Sequence, residues 1–112
     1  MWIMVSGPYR SGAPTEAQRA ANLKVMNDAA VAVFRKGHVP LIGVNMALPI
    51  IESAGSAAYD EIMMPVSLAL AQRCDAVLRV GGPSKGADDE VEIIRAAGGR
   101  VFMSIDQVPP AK

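Results

Sequence analysis

Ala76-Val77-Leu78-Arg79-Val80-Gly81-Gly82-Pro83-Ser84-Lys85-Gly86-Ala87-Asp88-Asp89-Glu90 sets a strand, a turn and a helix start end to end. The first five residues are a strand candidate. The glycines and Pro83 make the turn, and a helical pattern then runs to about Ala97, where Gly98-Gly99 stop it. Small residues let backbone approach a ligand, and the first free N–H groups of a helix point at it, so the segment is a candidate anion cradle. No Gly-Lys-Ser/Thr follows the glycines, which excludes a Walker phosphate loop, and the G-x-G-x-x-G spacing of a dinucleotide fingerprint is absent.

At about 100° per residue, Ala87, Val91 and Ile94 share a stripe that faces a sheet. Asp88, Asp89 and Glu92 project the other way, where they are solvated and favour the positive helix end. Glu90 lies within roughly 60° of the stripe's centre on the same wheel. Two roles follow for it: a charge that serves the helix dipole, or a half-buried carboxylate aimed at whatever the glycine turn holds.

Working back towards the amino end, Trp2-Ile3-Met4-Val5-Ser6 is a continuous apolar run, as expected of a strand covered on both faces. Gly7-Pro8-Tyr9-Arg10-Ser11-Gly12 follows as a second glycine-bounded turn. Thr15-Glu16-Ala17-Gln18 matches a capping box, and Ala21, Val25, Ala29 and Val33 continue a helix that Gly37 ends. Val39 to Ile42 is the next strand candidate. Gly43 to Ser56, interrupted by Pro49 and Gly55, reads as an ordered loop holding at most one helical turn. Its apolar side chains suit a lid or a subunit contact. From Tyr59 to Arg73 a helical pattern is broken by Pro65, and the secure helix starts near that proline. Val101 to Ile105 is the last strand candidate, and Pro109-Pro110-Ala111-Lys112 a loose tail.

Alternating strands and helices predict an α/β fold: one domain spanning residues 1–112, with a parallel sheet of four to five strands and helices on both faces, flavodoxin- or Rossmann-like. Ligands bind such sheets at the strands' carboxyl ends, beside a switch in strand order. The turns after the first and third strands both lie at that edge. If they are neighbours, Tyr9, Arg10, Ser84 and Glu90 converge on one pocket.

Composition narrows the function. The 112 residues carry 11 basic and 11 acidic side chains, with no basic block, which argues against long nucleic acids as partners but allows a small nucleotide. Cys74 is the only cysteine, so no intrachain disulfide forms, which suits a reducing cytoplasm, and its flanks suit a buried thiol. His38 is the only histidine, which argues against a His-rich metal site and a Ser-His-Asp triad. After Gly37, His38 reads as capping a helix end. No signal peptide or membrane span is expected, and no metal or organic cofactor is implied.

Taken together, these residues resemble the nucleoside 2-deoxyribosyltransferase-like family, which includes the 2'-deoxynucleoside 5'-phosphate N-hydrolases and many short bacterial proteins. The likeness is carried by Ser6-Gly7-Pro8-Tyr9-Arg10, by Gly37-His38-Val39-Pro40, and by Cys74-Asp75-Ala76-Val77-Leu78 with Ser84-Lys85-Gly86-Ala87-Asp88-Asp89-Glu90. It spans nearly the whole chain, and its most specific part is S-x-G-A-x-x-E. The resemblance implies that Glu90 is the nucleophile that attacks the sugar C1', leaving a glycosyl ester that water or a second base resolves. It implies that Arg10 and Ser84 contact a 5'-phosphate. It groups Ser6, Gly7, Tyr9, Gly86 and Ala87 with them around the substrate. Arg10 as a solvated turn residue and Ser84 as a plain helix cap remain the alternatives.

One position departs from the family. The aspartate that protonates the leaving base in many members falls here on Ser67, and a serine hydroxyl is a poor proton donor near neutral pH. Asp60 is the candidate substitute, with Asp75 a second whose turn-capping role competes. The expected activity is cleavage of the base from a small nucleoside 5'-monophosphate. A non-enzymatic nucleotide sensor is the alternative, because a fold does not settle chemistry. A phosphoribohydrolase of the cytokinin-activating type ranks lower, since its P-G-G-x-G-T run is absent. A homodimer or larger homo-oligomer is expected, because Met46, Leu48, Ile50, Met63 and Met64 lack an obvious burial partner within one subunit.

Overall fold

The computed structural model describes residues 1–111. Its centre is a four-stranded sheet: β1 (Trp2–Ser6), β2 (Val39–Leu41), β3 (Ala76–Arg79) and β4 (Arg100–Phe102), all parallel, in the order β2-β1-β3-β4. Inner strands β1 and β3 are the apolar runs, as burial on both faces requires. Alternation sorts their side chains. Ile3, Val5, Ala76 and Leu78 point into one core with Met26, Val33, Phe102 and Val108, whereas Met4 and Val77 meet Ala71, Val91 and Ile94 on the other face.

Helix α1 (Glu16–Arg35) covers the first face. Its start is the expected capping box, with Thr15 Oγ1 accepting from Gln18 N at 3.2 Å and Thr15 N donating to Gln18 Oε1 at 3.1 Å. The other face carries α3 (Tyr59–Ala71) and α4 (Lys85–Ala96), and α2 (Gly43–Ala54) packs on α3 through Ala47, Ile51 and Met63. β1 connects outward to β2 and the chain then crosses back to β3, so strand order reverses between β1 and β3. That reversal is where the carboxyl-end crevice of such sheets opens.

Two segments depart from expectation. Gly43 to Ala54 is a helix rather than a loop, and α3 begins at Tyr59 rather than at Pro65. Both prolines sit inside their helices on exposed positions, and the residues four earlier, Asn45 and Glu61, are exposed as well. A proline there removes one ladder bond, but the carbonyl it orphans can be hydrated, so each helix persists. Met63 is buried between α2 and α3, and Leu48 and Met64 pack against the same cluster, correcting the expectation that these three lack a partner within the subunit.

The carboxyl-terminal segment also differs. β4 ends at Phe102, and a 3₁₀ turn, Ile105–Gln107, replaces the rest of the expected strand. The segment after it is tied down rather than loose: Val108 is buried, Lys36 Nζ donates to Val108 O at 2.6 Å, and Ala111 N donates to Lys36 O at 2.8 Å. Lys112 lies outside the described residues. His38 closes the end of α1 through its backbone, N donating to Val33 O at 3.4 Å, while its side chain is used elsewhere. It is buried, with Nδ1 2.9 Å from the Met1 amine and Nε2 2.6 Å from Pro109 O. Among the described residues no helix is long and apolar enough to cross a membrane, and no group of three or more His, Cys, Asp or Glu stands together for a metal.

Candidate functional site

The turns after β1 and β3 interlock. Val80 N donates to Ser6 O at 2.8 Å. A Cβ at Gly7 would stand 2.9 Å from Val80 O, and one at Gly81, which has φ +75°, would stand 2.8 Å from Pro8 Cδ. Glycine at both places is what lets the backbones meet. Each turn is also held from its own side. Asn22 Nδ2 of α1 donates to Tyr9 O at 3.0 Å, and Arg19 Nε donates to Ala13 O at 3.0 Å. Arg79 donates to the carbonyls of Val80 and Gly82 and pairs with Asp88 Oδ1 at 3.1 Å.

Beside these turns lies a cavity of about 300 Å³, lined by Gly7, Tyr9 and Arg10 from the first turn and by Ser84, Gly86, Ala87 and Glu90 from the second turn and α4. It stands at the small end of the range for small-molecule sites, roughly 300–1,000 Å³. Val44 of α2, and Tyr59, Met63, Met64 and Ser67 of α3, close the other wall. Ser6 is fully buried beside Glu90. As the last residue of β1 it follows Met4 on the α3–α4 face of the sheet.

Glu90 lies in the second turn of α4, in line with Ala87, Val91 and Ile94, so it takes a place in the buried stripe itself. It is 8% exposed. Burial pushes its carboxyl up to about 7, against the hydroxyls of Ser6 and Ser67 and the Arg79 guanidinium, which draw it back down. Ser6 Oγ nevertheless has no partner with full hydrogen-bond geometry, so it stands next to the carboxyl with its bonding capacity unspent. The start of α2, which has no side-chain cap, comes against the same group: a Cβ on Gly43 would overlap Ser67 Oγ and stand 3.1 Å from Glu90 Oε2.

Arg10 stacks on Tyr59, its Cζ 3.3 Å from the ring centroid, and its guanidinium makes no hydrogen bond or ion pair among the described residues. The ring fixes the guanidinium plane while its N–H donors stay available to a ligand. Ser84 is the α4 cap, with Oγ accepting from Ala87 N at 3.2 Å, and it also faces the cavity. The hydroxyl proton is left to donate inward. The backbone N–H groups of Lys85 and Gly86, in the first turn of the same helix, have no intrahelical acceptor.

The two candidate acids stand elsewhere. Asp60 is exposed in the first turn of α3 and does not line the cavity. Asp75 Oδ2 accepts from Trp2 N at 2.8 Å, at the amino end of the sheet and so across it from the site. Asp89, expected on the solvent side, turns partly towards the cavity and pairs with Lys85 Nζ at 2.9 Å. Cys74 is a free thiol with its Sγ 3.4 Å from Leu70 O, and burial pushes it up to about 11. Gly43 and Tyr59 were missed by sequence reasoning. Both lie in the segment whose prolines hid its helices, and no spacing rule links Gly43 to Ser67 and Glu90 or Tyr59 to Arg10.

No family model matches the chain, and no curated protein matches it.

Proposed function

We propose that the protein is an N-glycosidase that removes the base from a small nucleoside 5'-monophosphate, with Glu90 as nucleophile. One observation carries this reading: a buried carboxylate faces a cavity at the strand-order switch, and the unpaired Arg10 guanidinium lines the same cavity. Arg10, the Ser84 hydroxyl and the free N–H groups at the start of α4 are a suitable set for a phosphate dianion. With the phosphate held there, the ribose extends towards Glu90. An ionised carboxylate beside C1' stabilises oxocarbenium character and then bonds to C1', and water cleaves the ester. Transfer to a second base in place of water uses the same groups.

The test is chromatography of nucleoside 5'-monophosphates incubated with the protein and with the Glu90→Gln variant. Free base from the wild type and a loss of about a thousandfold or more in the variant support the reading. Equal rates from both refute it. The second reading, a nucleotide sensor, is favoured by Ser67 standing where an acid is expected. It predicts a thermal shift with a nucleotide and base release from none. We further propose a homo-oligomer joined through the exposed face of α2, where Met46 and Ile50, one turn apart, are 52% and 45% exposed.

A further inference from the structure

The cavity holds one carboxylate free to react and no second group fit to protonate a departing base. Besides Glu90, Asp89 is the only carboxylate that lines it among the described residues, and the Lys85 ammonium engages Asp89. Other protonated groups on the lining, the phenols of Tyr9 and Tyr59 and the Lys85 ammonium, are weak acids by type, and burial pushes Tyr59 higher. The hydroxyls of Ser67 and Ser84 do not give up protons near neutral pH. An ordinary base leaves as an anion unless it is protonated, and besides Glu90 and Asp89 this wall offers it only weak acids.

From this we infer that the substrate is a nucleotide whose base already carries positive charge in the ring bound to the sugar, such as a pyridinium or an N7-alkylated purine nucleotide. The inference rests on the glycosidase reading and narrows it to a substrate class. Glu90 Oε bonds to C1', the C1'–N bond breaks, and its electron pair neutralises the ring, so the base departs as a neutral molecule. Water then attacks C1', Glu90 leaves as a carboxylate, and one proton goes to solvent. Cationic nucleotide and water thus give neutral base, sugar phosphate and a proton. Charge in the bound state favours the same class. A cationic ring near Glu90 draws its proton off and exposes the nucleophile, whereas a neutral base leaves the phosphate's negative charge to hold that proton on.

Released base is measured for N7-methylguanosine 5'-monophosphate and nicotinamide mononucleotide against guanosine and adenosine 5'-monophosphates, between about pH 5 and 8.5. The expected kcat/KM for the cationic pair is at least about a hundredfold above the unmodified pair, the size of a general-acid contribution. For nicotinamide mononucleotide, whose pyridinium ring keeps its charge across this range, the pH profile should rise through about pH 7, where Glu90 ionises, and then stay flat. Unmodified nucleotides cleaved within about tenfold of the cationic ones, or a descending alkaline limb with nicotinamide mononucleotide, which has no ring proton to lose, would overturn the inference while leaving the glycosidase reading intact. Base release from none of the four would overturn both.

Discussion

Glu90 occupies a stripe position where an apolar side chain would add to the core, so its charge is held against the fold's own preference. Its carboxyl is raised in the folded protein from 4.5 to about 7, so the folded state binds that proton more tightly than the unfolded chain. The associated stability is present in full below about pH 4.5 and is lost as pH rises through about 7, by up to ~3 kcal/mol. Glu90→Gln, which mimics the protonated form, should therefore melt higher than the wild type at pH 8 and nearly level with it at pH 4, read by thermal denaturation. Arg10→Ala should raise KM about 10- to 100-fold for a nucleotide and little for the matching nucleoside, the size of one charge-assisted phosphate contact. An equal effect on both would show that Arg10 does not serve the phosphate. Glu90's place near the stripe was legible from helical periodicity. Its full burial was not, because the α3 wall comes from residues far away in sequence.

Helices fared differently from strands as elements. The capping box of α1 and the serine cap of α4 are local chemistry, and both fall where the sequence puts them. α2 and the first turn of α3 were obscured by Pro49 and Pro65, since a proline's cost depends on whether water reaches the orphaned carbonyl, and the sequence does not state that exposure. The cost of missing α2 was missing how its first residue meets the site. Gly43→Ala should destabilise the protein by about 1–3 kcal/mol in denaturant titrations, because the added methyl overlaps Ser67 and crowds Glu90. A neutral result would mean that α2 can move away from α4 freely.

For the molecule as a whole, alternation of strands and helices was enough to expect a parallel α/β sheet, and the apolar run Trp2–Ser6 was enough to expect a strand covered on both faces. The tail was not legible, since its anchors are a buried histidine and a lysine whose partners lie about 70 residues away in sequence. Nor did sequence separate apolar residues that pack internally, such as Met63, from those left on the surface, such as Met46 and Ile50. Light scattering at high protein concentration should report a dimer or larger particle, and Met46→Glu with Ile50→Lys should return it to monomer. A monomer from the unaltered protein would remove the oligomer proposal.

Gly7 and Gly81 fit against Val80 and Pro8 across the gap between two bends, so neither bend has an independent shape. Protein engineers who graft a foreign loop onto one of these strand ends will have to transplant its opposite number as well, because the unit of exchange here is the pair.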